Sequence, residues 1–522
     1  MMYARVRRVG DGLLPECDFT GCALQFGHRI ALALKIFYKF APFYLINMMK
    51  RNPLTNLKAT CAVLFALMSG TVYGQFVRSS FFMDGAQYRM QINPALAPDR
   101  GYVHVPAVSN TSAWAHSNVL DVSDMADMAK NIDDPDYYIT DDFYPKLKDR
   151  NKMSAGAGSD LIAAGWWHGN GFMSFSVSVK ADGNVSAPLE MFSFMRDMRG
   201  MNSNDYSDYI CEMRDVDFNV NAYTEIAAGY TRQINDRLSV GGRVKGLLGI
   251  GNLRLKADRV AVITKLVGLD PNLNWSTASA RDLRNARGTA WVEADAHLES
   301  SFEGLELVTN DDGYIETMRF RASHMGLSGM GAAFDFGVAY EVANGLTLSA
   351  ALNDLGFIRW FSGCTQDAYA NTADLAFDSS HPGDIERFMG IIGSDEPINM
   401  HLLRLTPTGE KRSRTTSIAS TITLGGEYRL MNDKLGFGAL YSHHNVKPSS
   451  LDELTLGVNL HPADMLDFAL TYSPILCGGK SFGLAMKLGP LYVGTDYIYL
   501  GNDSKGCNAI VGLSIPLGKR PE

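Results

Sequence analysis

Long stretches of the chain alternate apolar and polar residues with a period of two. In one of them, the apolar residues Met173, Phe175, Val177 and Val179 alternate with three serines and a lysine. Side chains along a β-strand point to opposite faces in turn, so this pattern predicts a strand with one apolar and one polar face. The pattern recurs in segments that begin at Phe218, Leu238, Phe334, Leu346, Ile422, Leu454, Leu466, Leu491 and Ala509.

Several of these predicted strands are long for a globular protein. Strands of soluble domains average about five to six residues, whereas a tilted strand that crosses a bilayer needs about 9 to 11. The faces opposite the apolar residues carry polar side chains that suit a lumen, namely Asn219, Asn221, Glu225, Thr231, Arg243 and Lys245. A bilayer admits only helices and closed barrels. We therefore predict an all-β chain that forms a closed antiparallel transmembrane β-barrel of about 14 strands, in a range of about 12 to 16. The alternative is a secreted β-sandwich or propeller.

The connections between the predicted strands alternate between short and long. Tight turns are indicated at 169–171, 235–236, 344–345, 432–433, 462–464 and 489–490. Counted back from a last strand at 507–517, all of them fall on the rim that carries the C-terminus. The longest connections, predicted as external loops, are 182–217, 252–285 and 360–414. Outer-membrane barrels show this division into a short-turn rim and a long-loop rim.

The N-terminal region contains an export signal. Lys50 and Arg51 precede an apolar run from Ala59 to Met68, and small residues follow up to Gly74. This order predicts a secretory signal peptide over 48–74, cleaved near Gly74, and hence a location in the cell outer membrane.

Residues 1–47 precede this complete signal and do not belong to it. We therefore expect Met48 or Met49 to be the initiator and residues 1–47 to be a non-native extension. The alternative is a helix over Ile30 to Ile46, a stretch that Lys35, Lys39 and Pro42 interrupt.

Composition and charge exclude several classes of protein. With 46% hydrophobic residues, 20% charged residues and a mean hydropathy of -0.07, the chain is neither disordered nor a polytopic helical membrane protein. A net charge of -8 gives no electrostatic footprint for nucleic acid. Seven cysteines, none in a C-x-x-C pair, do not form a zinc ribbon or a disulfide scaffold.

Candidate chemistry is sparse. No G-x-S-x-G or H-E-x-x-H motif is present, so we predict no catalytic residues, no metal site and no cofactor, and a protein that is not an enzyme. His443 and His444 are adjacent on a predicted strand, where they point to opposite faces and cannot chelate one metal. The cysteines of the exported part are either free thiols or partly paired, and spacing does not choose between these states. They are Cys211, Cys364, Cys477 and Cys507.

Two blocks of sequence carry a family resemblance. The first lies in residues 75–106 and includes the runs SSFFM at 79–83 and QINPAL at 91–96; the second is LNDLGFIRW at 352–360. These blocks resemble an outer-membrane β-barrel family of Bacteroides-type bacteria catalogued as domain of unknown function 5723, over essentially the whole chain from Gln75. More distantly, the Asn-Pro-Ala tripeptide is similar to that of the long-chain fatty-acid transporter superfamily.

The distant resemblance implies a barrel of 14 strands whose lumen is closed by an N-terminal hatch. It makes Asn93, Pro94 and Ala95 hatch candidates, and it divides the exported chain into a plug or hatch at 75–106 and a barrel at 107–522. Pro94 would stiffen the turn, and Asn93 would bond to backbone groups that have no partner strand. The alternative is an ordinary turn into the first strand. The chain also departs from the superfamily, because it ends at Glu522 rather than on an aromatic residue.

One external loop contains an amphipathic run that predicts a short helix. Its apolar residues Phe192, Phe194 and Met195 are candidates for a lid or a partner patch. The alternative is a helix packed over the barrel mouth.

Two functions from different classes remain. The first is passive uptake of a hydrophobic or amphipathic small molecule through a hatch-gated lumen. The second is a non-transporting scaffold or shuttle for surface or secreted proteins. The expected partners are outer-membrane lipid and either a hydrophobic small molecule or an exported protein, and no nucleic acid.

Overall fold

A computed structural model describes most of the chain from Arg78 onward. The described residues are 78–105, 109–131, 134–200, 208–267, 287–321, 324–378, 403–445, 450–463, 465–476, 479–498 and 505–520. The extension expected at 1–47, the signal peptide predicted at 48–74 and the first residues of the hatch from Gln75 lie outside the described residues.

Strands make up most of the described chain. They are β1 (Arg100–His104), β2 (Ser109–Ser117), β3 (Arg150–His168), β4 (Gly171–Pro188), β5 (Tyr209–Gln233), β6 (Leu238–Val267), β7 (Arg287–Phe302), β8 (Leu305–Thr309), β9 (Ile315–Phe320), β10 (Gly329–Ala343), β11 (Leu346–Trp360), β12 (Thr365–Asp378), β13 (Thr406–Pro407), β14 (Arg414–Ser417), β15 (Ser420–Leu430), β16 (Leu435–Asn445), β17 (Leu451–Ala463), β18 (Leu466–Leu476), β19 (Gly479–Leu488), β20 (Leu491–Ile498) and β21 (Gly506–Lys519).

The described helices are short. They comprise α1 (Arg89–Ile92), α2 (Val122–Lys130), α3 (Leu189–Gly200) and the 3₁₀ helices Arg78–Phe82, Pro135–Ile139 and Tyr144–Lys146. Within the described ranges, none of these helices has the length and apolar character needed to cross a membrane.

Hydrogen-bonded ladders close the strands into a ring. Each of β1 and β2 pairs with β3 on one side and with β21 on the other, so together they occupy one position in the ring. The ring then runs through β3 to β6, β10, β11, β15 and β16 to β21, which gives 14 positions, all with antiparallel neighbours. The predicted closed antiparallel barrel of about 14 strands is confirmed.

The barrel has its apolar side chains outside and its polar side chains inside. On β15, Leu424 is 53% exposed whereas the adjacent Thr423 is 4% exposed, and Leu456 and Thr455 on β17 repeat this contrast. Of the polar residues predicted to face a lumen, Glu225, Thr231, Arg243 and Lys245 are buried, and Asn219 and Asn221 are half-buried. A β-sandwich buries its apolar faces, so this distribution rules out the sandwich alternative.

Aromatic residues form a girdle near the rim that carries the tight turns. Trp166, Tyr230, Tyr340 and Tyr428 each precede a turn by a few residues, and each is between 43% and 46% exposed. Amphipathic rings concentrate at the two interfaces of a membrane, where one side of the ring meets hydrocarbon and the other meets water. The girdle therefore supports a barrel that sits in a bilayer.

Two strands continue beyond the ring and build a second sheet. β5 has 25 residues and β6 has 30, and β6 leaves β10 after Gly249 to pair with β7 from Gly251. β7 pairs with β12, and β12 pairs with β13. The hairpin β8–β9 and Phe194 of α3 pack against this sheet in a separate apolar cluster. We call this sheet and its hairpin the outer-rim domain.

A buried tryptophan fills the fork where β6 leaves β10. Trp360, at the end of β11, is fully buried, and a Cβ on Gly249 or Gly329 would lie closer than 3.0 Å to its ring. Its indole Nε1 donates a hydrogen bond to Thr416 Oγ1 at 2.8 Å. The indole fills the space that opens between β6 and β10 where the two strands diverge, so no cavity is left there.

The three segments predicted as long loops are partly strand. β4 extends to Pro188 and β5 begins at Tyr209, inside 182–217; β6 extends to Val267, inside 252–285; and β12 and β13 lie inside 360–414. Residues 253–258 of β6 alternate between apolar and polar as the ring strands do, whereas residues 260–264 are all buried and show no alternation. The central parts of these segments, 201–207, 268–286 and 379–402, lie outside the described residues.

Replacement of an outward leucine by arginine tests the placement of the apolar face in lipid. Leu424→Arg puts a charge at the middle of β15, and we expect it to lower the free energy of unfolding in bilayers by about 2–4 kcal/mol. Leu430→Arg is the matched control on the same face near the turn, where the expected loss is about 0–1 kcal/mol. Denaturant titration of the barrel in lipid vesicles measures both values. Equal losses for the two variants would show that depth in hydrocarbon does not govern the outward face.

Candidate functional site inside the barrel

The polypeptide between residues 78 and 99, here called the N-terminal segment, lies inside the ring. Arg78 contacts the ends of β17 and β20 that are remote from the tight-turn rim, whereas Gly85 contacts β18 and β19 close to that rim. All five residues of the first 3₁₀ helix are buried. The segment has no strand of its own, so it meets the wall through side chains and loop backbone.

Aromatic and small residues form the apolar contact between the segment and the wall. Phe81, Phe82 and Tyr88 are buried against wall residues, and the ring centroids of Tyr88 and Tyr492 are 4.5 Å apart. The wall contributes mainly small or apolar side chains to this cluster, namely Ala339, Leu440, Ala469, Ala485, Tyr492 and Ile510. This packing fills the space that a barrel of about 14 strands leaves in its lumen.

Glycines on the inner wall permit the close approach of the segment. At each of six glycines, an added Cβ would lie closer than 3.0 Å to a residue of the segment. Phe81 faces Gly425, Phe82 faces Gly438 and Gly457, and Tyr88 faces Gly512. The other two are Gly241, beside Pro94, and Gly337, beside Asn93. A side chain at any of these positions would push the segment away from the wall.

The structure places Asn93, Pro94 and Ala95 against β6, β10 and β11. The Asn93 amide donates to the carbonyls of Val338 and Ala350 at 3.3 and 3.2 Å, and its Oδ1 accepts from the Ala95 N–H. Thr231 Oγ1 donates to the Pro94 carbonyl at 2.5 Å. Asn93 thus bonds to backbone without a partner strand, as its type suggested. The role of the three residues as a hatch stays a prediction.

The second family block contacts the first. A bulge in β11 gives Asp354 a φ of 57° and turns Asn353 and Asp354 toward the inside together. Asn353 donates from Nδ2 to the Ile92 carbonyl at 2.6 Å, and Asp354 accepts from Lys245 Nζ at 2.6 Å. One bulge therefore joins the segment to the charged wall of the barrel.

Charged side chains hold the segment at two points, its first described residue and its middle. Arg78 Nη1 lies 2.8 Å from Glu453 Oε1, and the backbone N–H groups of Arg78 and Ser79 donate to the Asp496 carboxylate. Arg89 Nη2 lies 2.5 Å from Glu427 Oε2 and also pairs with Asp84. Burial opposes the charged form of Arg78, but the nearby carboxylates outweigh it and raise the pKa of the guanidinium.

The wall on the opposite side carries a network of ion pairs that needs no partner from the segment. Lys245 Nζ lies 2.7 Å from Asp335 and 2.6 Å from Asp354, and Lys180 Nζ lies 2.7 Å from Glu225. Arg243 completes the network beside Asp335 and Glu225, so three cations meet three carboxylates. Such buried charges are costly unless they are paired. This network is balanced within the wall itself.

The predicted lid residues are packed into two clusters. Phe194 is buried in the core of the outer-rim domain, whereas Phe192 and Met195 pack against Val119, Leu120 and nearby residues of the helical insert between β2 and β3. The helix α3 that carries them therefore joins the insert to the outer-rim domain. This arrangement agrees with the alternative of a packed helix, and a lid that opens stays a prediction.

The remaining candidates lie apart from the segment. His443 pairs with Asp452 on the outer face and His444 with Glu453 on the inner face, so the two imidazoles point to opposite sides, as expected. Cys211, Cys364 and Cys507 are free thiols, and Cys477 lies outside the described residues.

The basic residues of the segment and their acidic partners are not among the candidates that the sequence pattern indicates. Each of Glu427, Glu453, Asp467 and Asp496 occupies a position on the polar face of a predicted strand. Four different strands each carry one carboxylate at a position that faces the lumen. Because buried charges are paired, these four carboxylates indicate that positively charged groups lie inside the barrel.

Substitution of an inner glycine tests whether the segment needs this close fit. Gly425→Val places a side chain in the volume of Phe81, and we expect a loss of about 1–3 kcal/mol in the free energy of unfolding. Trypsin should then cleave after Arg78 and Arg89, which are buried when the segment is seated. Gly426→Val is the control, because the neighbouring glycine points away from the segment. Protection of Arg78 and Arg89 in Gly425→Val would contradict the fit.

Comparison with known proteins gives a family and several structural likenesses. The model of a family of unknown function, DUF5723, matches residues 94–496. No curated protein matches the chain. Among solved structures, the toluene transporter TodX of P. putida is 11% identical, with 86% of this chain and 100% of that chain covered and a TM-score of 0.37. A Pseudomonas aeruginosa FadL homologue is 10% identical, with 85% and 97% covered and a TM-score of 0.30.

Both structural likenesses are distant, with TM-scores below 0.5. The family match is of a different kind, because it spans more than half of the chain and includes Pro94, Ala95 and the whole block at 352–360. The resemblance recognised in the sequence is thereby confirmed, and the chain belongs to the family of unknown function DUF5723.

Proposed function

We propose that the protein is an outer-membrane barrel for passive uptake of hydrophobic or amphipathic small molecules, with the N-terminal segment as a hatch. The observation that carries this proposal is the seating of residues 78–96 inside a ring whose outer face is apolar. A membrane barrel of this width provides a route only if the material in its lumen can move.

The contacts of the segment are of a kind that permits movement. It joins the wall through ion pairs, side-chain hydrogen bonds and apolar packing, while the ladders of the ring run between wall strands. Displacement of the segment therefore leaves the hydrogen bonds of the ring intact. No chemical step is required for this role, and we propose that the protein is not an enzyme.

The surface behind the segment suits an apolar body. Leu440, Tyr492 and Ile510 point inward there, next to inner glycines such as Gly457 and Gly512. When the segment leaves, this strip of wall becomes available to another apolar group of similar width. A hydrophobic or amphipathic solute would replace the packing that Phe81, Phe82 and Tyr88 supply in the closed barrel.

A second candidate function is that of a scaffold or shuttle for surface or secreted proteins. It is favoured by the outer-rim domain, which has its own apolar core and rises from β5 and β6 beyond the ring. A protein partner would bind this domain without passage through the lumen. The two functions therefore differ in whether the hatch has to move.

A crosslink that fixes the hatch separates the two functions. Gln87 Nε2 donates to Ser514 Oγ at 2.8 Å, so cysteines at 87 and 514 can be joined by a short thiol-reactive linker. We expect linked Gln87→Cys/Ser514→Cys to lose uptake of a labelled hydrophobic probe into proteoliposomes, because the segment can no longer leave the wall. The background carries serine at the natural cysteines Cys211, Cys364, Cys477 and Cys507.

The controls are the two single cysteine variants treated with the same linker, which should keep the uptake of the untreated protein. Undiminished uptake by the linked double variant would contradict a moving hatch. Uptake no greater than that of protein-free liposomes in every variant would leave the scaffold as the better account.

A further inference from the structure

The two sides of the lumen wall differ in how their charges are balanced. On the side of β4, β5, β6, β10 and β11, three cations and three carboxylates pair with one another. On the side of β15, β17, β18 and β20, four carboxylates point inward, and all four accept from the segment, from its guanidinium groups or its backbone N–H groups. They are Glu427, Glu453, Asp467 and Asp496.

The basic wall residues beside these four carboxylates do not balance them. Arg429 lies 3.8 Å from Glu427, and Lys487 reaches the Gly85 carbonyl. His444 Nε2 lies 3.1 Å from Glu453 Oε2, and His461 Nδ1 lies 3.4 Å from Asp467 Oδ2. Between residues 78 and 96, the segment adds two positive charges, Arg78 and Arg89, and one negative charge, Asp84, which pairs with Arg89 and Arg429. Its net contribution to this side of the wall is therefore positive.

The seat of Arg78 has the composition of a site for an organic cation. Its guanidinium lies between Glu453 and Asp496, and Cζ is 5.2 Å from the centroid of the Tyr497 ring. Carboxylates together with an aromatic face are the groups that recognise ammonium and guanidinium ions. The residue seated there is almost completely buried, at 6% exposure, so the seat is a built pocket rather than a surface pair.

The apolar part of the segment lies next to this cationic part. Phe81 and Phe82 follow Arg78 within five residues and occupy the wall beside Gly425 and Gly457. The wall thus already binds a positive group joined to an apolar body, namely Arg78 and the two phenylalanines of the N-terminal segment.

We infer that the lumen admits amphipathic cations. The N-terminal segment occupies their path and resembles them, because it also joins a cation to apolar side chains. This inference rests on the proposed uptake function and narrows its substrate class to molecules with an apolar body and an ammonium or guanidinium head. When the segment moves, the head exchanges for Arg78 at Glu453, Asp496 and Tyr497, and the body exchanges for the phenylalanines.

The test uses one fluorescent alkyl body with three different heads in proteoliposomes of the full exported chain. The heads are a primary ammonium, its neutral acetamide and a carboxylate, and uptake is counted above protein-free liposomes. We expect the ammonium probe to enter at least about fivefold faster than the acetamide, and the carboxylate to enter slowest, because two buried carboxylates face the path. Equal rates for the three heads would overturn the inference and leave the proposed uptake intact.

A pair of variants locates the preference. In Glu453→Gln/Asp496→Asn the ratio of ammonium to acetamide uptake should fall toward one, since the charges of the seat are gone. Asp452→Asn is the matched control, because Asp452 neighbours Glu453 in sequence and is exposed on the outer face. A ratio that stays at its original value in the double variant would assign the preference to another part of the protein and contradict the seat.

A conductance measurement separates this inference from the uptake function. Arg78→Gln weakens the hold on the segment, and in a planar bilayer under a KCl gradient its current should be cation-selective. Cation selectivity without probe uptake would show that the acidic wall attracts cations, but it would refute the uptake function and with it the uptake of amphipathic cations. Absence of both would overturn the inference. Trypsin resistance of the ring and a heat-dependent shift in gel mobility confirm that each variant is folded.

Discussion

The structure depends on the requirement that every backbone polar group in a hydrocarbon environment be paired within the protein. An antiparallel sheet meets this requirement only when it closes, and here β21 closes it by pairing with β1 and β2. Closure fixes the two faces of every strand at once, because a shift by one residue would turn all the apolar side chains inward. The outward leucines and inward threonines of β15, β17 and β18 are the direct result.

A closed ring of this size creates a second problem in its interior. The inner face is polar and partly charged, and unpaired buried charges are costly. One side of the wall solves this with its own ion pairs around Lys245. The other side uses the N-terminal segment, whose Arg78 and Arg89 pair with wall carboxylates and whose aromatic rings fit over inner glycines. The interior is therefore complete only when the segment is seated, and this dependence makes the segment a candidate gate.

Much of the ring could be predicted from sequence because lipid on one side and a polar lumen on the other impose a clean alternation. The end of β6 could not, since residues 260–264 are all buried and almost all apolar, without a period of two. The bulge at Asn353 and Asp354 does leave a sign in the pattern, because the outward apolar residues of β11 change from an even position, Leu348, to the odd positions Leu355 and Phe357. The pairing of Arg89 with Glu427 joins residues 338 positions apart, and only the fold brings such distant residues together. Asn93 was recognisable because its residue type and the following proline already favour a turn with local backbone bonds.

Bromolipid quenching at two adjacent positions of β18 tests the central claim most directly. Leu470 is 54% exposed on the outer face and Thr471 is 2% exposed on the inner face. A small fluorophore attached to a cysteine at position 470 should be strongly quenched by lipids brominated in mid-chain, whereas one at position 471 should be quenched weakly. Equal quenching at both positions, or stronger quenching at 471, would contradict a barrel whose apolar face lies in lipid.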